Sequence, residues 1–140
     1  MANRDEHDVL GGLIGVVSAF VAAAKQGREP HPLELLGGVL GGVAGSRLPD
    51  AFEPAVHPNH RQFAHSVTFA LGTGATVAPA GFRAQQSLAE QAEQIAETDP
   101  VSAALLRVFG GMAAGAAPGY LSHLAADART PKSIPLLGKL

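Results

Sequence analysis

LELLGGVLGGVAGSRL, residues 33–48, decides how the chain folds. Its glycines, Gly37, Gly38, Gly41, Gly42 and Gly45, recur with small-xxx-small spacing, which lets helix backbones approach closely. Glycine and alanine are poor strand formers, and the stretch lacks the alternation of a half-buried strand. Leu33 to Leu48 therefore reads as a helix, with Glu34 in the first turn, where the helix dipole favours an acid. The paired glycines are not a phosphate loop, because no Lys-Ser/Thr pair follows them. They are packing residues.

On the N-terminal side, Val9 to Ala24 is an unbroken apolar run, separated from the 33–48 helix by the turn signal KQGREPHP. MANRDEHD, before it, is too acidic for the n-region of a signal peptide. On the C-terminal side Pro49 is expected to end the helix, and DAFEPAVHPNHR, residues 50–61, reads as an irregular loop. A third apolar segment follows from Phe63 to about Ala80, then a polar, solvent-exposed helix from Arg83 to Thr98. Pro100 opens a last long helix to about Ala128, with a kink expected at Pro118-Gly119. The tail RTPKSIPLLGKL reads as irregular. The expectation is all-α: one domain over residues 1–140, a compact bundle of four apolar Gly/Ala-rich helices plus one polar helix.

The apolar runs, about 16–18 residues each, fall between a core helix and the ~20 residues of a membrane span. A mean hydropathy of +0.16 is low for a chain with four spans, so a membrane-embedded and a soluble bundle both stay open. If all four crossed, Arg4, Arg47, Arg61, Arg129, Lys132 and Lys139 would share one face against Lys25, Arg28 and Arg83 opposite. That asymmetry puts the first face in the cytoplasm. Inner membrane with the site facing the cytoplasm, or cytoplasm, are thus the two expected locations. A net charge of −2 and the lack of a basic stripe speak against a nucleic-acid partner.

The chain has no cysteine, so a metal would have to take His, Asp or Glu ligands. Such side chains gather in two clusters. LPDAFEPAVHPNHRQFAHS, residues 48–66, holds Asp50, Glu53, His57, His60 and His65; GYLSHLAADARTP, residues 119–131, holds His123 and Asp127. His123 and Asp127 are i and i+4 on one helix face, one turn apart. The two clusters are expected to meet at one end of the bundle. Nitrogen and carboxylate ligands of this type suit zinc first, then manganese or iron.

LPD, then HRxxxHS, then GYLSHLxxDxxTP, resembles the YdjM-like family of metal-dependent, inner-membrane-associated hydrolases, which is related to a LexA-binding protein. The resemblance covers roughly residues 35–131. It implies metal ligands at Asp50, His60, His65, His123 and Asp127, and carries Arg61 and Ser66 with the second motif. It departs at PDAFE, where the family has PDxD, so that Glu53 stands one residue later than the expected acid.

The leading expectation is an enzyme that activates water for attack on a phosphoester or other ester. His60 would be a further ligand or general base, Arg61 would steady an anionic group, and Glu53 is the remaining catalytic candidate. A small molecule or a lipid head group would be the substrate. The alternative is a non-enzymatic membrane or assembly module whose His/Asp cluster is a structural metal staple, with its small-residue faces and polar helix free for self-association into a homo-oligomer. His7 and His31 are isolated in sequence and receive no role.

Overall fold

The structure is a computed structural model that describes residues 4–53 and 63–129. It is all-helical over those residues. Helix α1 runs Arg4–Lys25, with Asp5 and Glu6 in its first turn and Lys25 in its last, both favourable to the dipole. It stops at Gly27, whose φ of 71° only glycine adopts without cost. Helix α2 runs Pro32–Phe52 and is capped by His31: the Leu33 amide donates to His31 Nδ1 at 3.1 Å and the His31 amide to Glu34 Oε2 at 3.2 Å. Helices α3 (Val67–Gly72) and α4 (Ala78–Ile95) follow, then α5 (Pro100–Ala128), capped by Asp99, which accepts from the Ser102 amide at 3.0 Å.

One proline behaves differently from the sequence expectation. Pro49 lies inside α2, which runs on to Phe52, so it does not end its helix, whereas Pro118 lies inside α5, as the long last helix requires. An interior proline removes one ladder hydrogen bond; here the surrounding packing keeps the helix going. Ahead of Pro79, residues Thr73–Val77 form a π-helical stretch that joins α3 to α4 without a break. Val67–Gly72, Thr73–Val77 and Ala78–Ile95 are therefore one rod, along which the apolar segment passes into the polar helix. The polar half is exposed on its outer side, but Gln85, Ala89 and Ala92 are buried. Gln85 Nε2 donates to the Ala19 carbonyl at 3.1 Å and lies 3.5 Å from Glu34 Oε2, which also takes Arg28 at 2.8 Å.

The four rods pack through glycine. A Cβ on Gly41 would stand 2.6 Å from Met112 Cα and overlap the Met112 carbonyl; Gly37 and Gly45 meet the carbonyls of Val108 and Ala116 in the same way. These four-residue steps rise together, so α2 and α5 run parallel. Gly11 meets Gly42, and Gly15 meets Gly38, so α1 and α2 run antiparallel. The buried apolar cluster is correspondingly small, Ala19, Ala22 and Ala114 with Leu35 and Phe82 against it. The large apolar side chains point outward: Leu13 is 58% exposed and Phe109 54%.

Gly41→Leu should cost at least ~3 kcal/mol, because the obstruction is backbone and cannot rotate away. Gly72→Ala, with nothing within 4 Å of the new methyl, should stabilise by about 0.4–1 kcal/mol. Thermal melts followed by circular dichroism check both; a tolerated Gly41→Leu would show that the close packing is wrong.

Candidate functional site

At one end of the bundle the start of α1, the end of α2, the turn before α3 and the end of α5 converge. Asp50 sits in the last turn of α2, because the helix continues through Pro49. His65 lies in the turn before α3, where Ser66 caps the helix by accepting from the Phe69 amide at 3.2 Å. Tyr120, buried on α5, donates its hydroxyl to the Ala64 carbonyl and ties that turn to the bundle. His123 and Asp127 project from the last turns of α5.

Four donor atoms from these residues form a ring of alternating oxygen and nitrogen. Asp50 Oδ1 lies 3.4 Å from His65 Nε2 and 3.7 Å from His123 Nε2; Asp127 Oδ2 lies 3.8 Å and 3.5 Å from the same two nitrogens. Ligands ~2.0–2.1 Å from a tetrahedral ion stand about 3.3 Å from one another, and these four oxygen–nitrogen separations are a little longer; the donors that all lie within 4.8 Å of one another are Asp50, His65 and His123 on one side and His7, His123 and Asp127 on the other. His65, His123 and Asp127 are almost wholly buried, whereas the Asp50 side chain is 51% exposed and opens the ring on one side. Neither ring nitrogen of His123 has a hydrogen bond among the described residues, although the side chain is buried. A buried imidazole in that state is costly unless something else takes its lone pair. A cation would do so.

His65 is aimed from behind. Glu53, at the C-cap of α2, holds His65 Nδ1 at 3.0 Å, so Nε2 faces the ring. This is the carboxylate–histidine arrangement that fixes the tautomer of a metal-ligating imidazole. Glu53 therefore lies on the opposite side of the His65 ring from Asp50. Burial pushes the His65 pKa down, but the carboxylates of Asp50, Glu53 and Asp127 outweigh it and raise the pKa above its ordinary value.

One neighbour was not expected. His7 stacks on His123 with ring centroids 3.9 Å apart, and its Nε2 lies 3.7 Å from Asp127 Oδ1. His7, His123 and Asp127 form a second, fully buried donor group beside Asp50, His65 and His123. A signal was available: helix α1 begins at Arg4, which places His7 one turn before Gly11 on the buried stripe Gly11, Gly15, Ala19. His57, His60 and Arg61 lie outside the described residues. His31 is far from this end and serves as the cap of α2.

A family described as YdjM inner membrane protein matches residues 11–138, nearly the whole chain. The chain belongs to that family. Two helices suit such a setting by length and composition: α1 and α5, with mean hydropathies of 1.7 and 1.3 over their most apolar windows. No curated protein and no solved structure matched the chain.

Tyr120→Phe removes a hydroxyl that pins the His65 turn to α5. It should lower stability by about 1 kcal/mol, the usual worth of a buried hydrogen bond, read as a shift in the thermal midpoint.

Proposed function

We propose that this chain is a metal-dependent hydrolase that activates water for cleavage of a phosphoester or other ester at a face of the inner membrane. The observation that carries the reading is the ring of Asp50, His65, His123 and Asp127 donors, buried on three sides and open at Asp50. Two imidazoles and two carboxylates fit zinc first, with manganese or iron as alternatives. A divalent ion held there supplies a strong nucleophile at neutral pH by lowering the pKa of water from 15.7 to about 7. Asp127 and His123 position from a rigid helix, Glu53 orients His65, and His7 backs His123 against α1. From the motif resemblance, His60 is assigned as a further ligand or base and Arg61 as an anion clamp. The site end carries Arg4, Arg47 and Arg129, in keeping with a cytoplasmic orientation.

The competing reading is a structural staple, favoured by the full burial of His7, His123 and Asp127. Closed coordination in X-ray absorption, with no hydrolysis of aryl phosphates or aryl esters, would decide for the staple.

Elemental analysis of the purified protein should find a divalent ion, lost in His123→Ala. Stripping it with chelator should lower the thermal midpoint, since an ion at 100 times its Kd stabilises by ~2.7 kcal/mol. Asp127→Asn should abolish activity, as an amide is a poor ligand for a divalent ion. Glu53→Gln should weaken metal affinity about 10–100-fold yet keep activity at saturating metal. A dead Glu53→Gln with full metal content would instead make Glu53 the general base. Because the His65 pKa is raised, protons compete for its Nε2 at higher pH than for an ordinary imidazole, and apparent zinc affinity should fall as the pH is lowered.

A further inference from the structure

A cleft of about 300 Å³ opens beside the donor ring, between the first turns of α1 and the last turns of α2. Arg4, His7 and Asp8 line it from α1, and Ser46, Arg47 and Asp50 from α2. Two of these, His7 and Asp50, belong to the candidate metal groups, so whatever fills the cleft reaches the donor ring.

The charges in the wall are unequal in availability. Asp8 is engaged by Arg47 in a two-pronged pair, Nε to Oδ1 at 2.8 Å and Nη2 to Oδ2 at 2.6 Å. That pair fixes the plane of the Arg47 guanidinium and leaves its Nη1 hydrogens outside the fork. Asp50 faces His65 and His123. Arg4 stands close enough to act electrostatically on Asp8, whose two oxygens are already taken by Arg47. The cleft therefore carries the Arg4 guanidinium and the remaining edge of Arg47 in the same wall as His7 and Asp50.

Resting on the hydrolase reading, we propose that this cleft is the subsite for the substrate's phosphate, with Arg4 and the free edge of Arg47 as its binding groups, and that the substrate is a phosphoester. A neutral carboxylic ester has no use for either guanidinium. A carboxylate presents two oxygens in one plane, fewer and less spread than Arg4, Arg47 and an ion held by the donor ring would use together. A phosphate has enough, and guanidinium is the side chain whose planar fork matches its oxygens. In the step so served, the oxygen of water bonds to phosphorus and the P–O bond to the alcohol breaks. One proton of water ends on the alcohol and the other on the phosphate or in solvent.

The test is a calorimetric titration of inorganic phosphate into full-length protein, with and without one equivalent of zinc, with zinc content measured separately. Saturable binding is expected, at least tenfold weaker in Arg4→Gln and in Arg47→Gln at unchanged zinc content, and largely retained in Arg4→Lys. Acetate should not compete. Wild-type phosphate affinity in both glutamine variants, equal competition by acetate, or no saturable binding at millimolar phosphate would each overturn the proposal. A protein that takes no zinc would count against the hydrolase reading, while the arginine dependence of phosphate binding would still decide this one. Glycerol 3-phosphate and vesicles containing phosphatidic acid, run in parallel, separate a soluble phosphoester from a lipid head group. Arginine-dependent binding of either supports the subsite, and its absence in both refutes it.

Discussion

Backbone contact between helices sets everything else in this molecule. Gly38 and Gly42 of α2 are wedged between Gly15 and Gly11 of α1 on one side and Gly115 and Gly119 of α5 on the other, so three backbones share one junction. Each glycine in a helix interior costs about 1 kcal/mol relative to alanine. The chain accepts that cost at many adjacent positions, so the close approach must return more in dispersion than it loses. Such packing also fixes register, because a slip of one residue would set a side chain against a carbonyl.

Packing small residues inside sends the large ones out. With Leu13, Phe20 and Phe109 about half exposed, the bundle would present broad apolar surface to water. In a bilayer that surface is matched, and helix association there relies on close small-residue packing rather than on burying leucine. The family placement and the packing therefore agree. The outer side of α4 is the exception, where Gln86, Glu90 and Glu93 remain exposed.

Much of this was legible in the sequence. The glycine spacing pointed to helices and close packing, and the motifs pointed to Asp50, His60, His65, His123 and Asp127, four of which lie together among the described residues. What was not legible followed from context. Pro49 read as a boundary because proline usually ends a helix, but tertiary packing carried α2 past it to Phe52. Glu53 looked like a displaced catalytic acid. Only the fold shows that three residues after Asp50, around the end of α2, it reaches the opposite nitrogen of the same imidazole. His7 was passed over because α1 was expected to begin at Val9, although Asp5 and Glu6 were the first-turn acids of a longer helix.

The location of the site follows from the same junction. On α1 the stripe Gly15, Gly11 continues one turn to His7; on α2 Gly38, Gly42 continues through Ser46 to Asp50; on α5 Gly111, Gly115, Gly119 continues to His123 and Asp127. All three stripes thus change from no side chain to a polar one at the same end of the bundle. In the middle, a Cβ on these glycines would already meet backbone, so an imidazole has no room there. Only at the helix ends is there space for histidine and aspartate on the junction itself. Because they occupy the stripes that set the register, they are held in place by the packing of the whole bundle. Repacking the glycine junction would therefore move the donor ring as well, coupling helix register to the geometry of the site across the length of three helices.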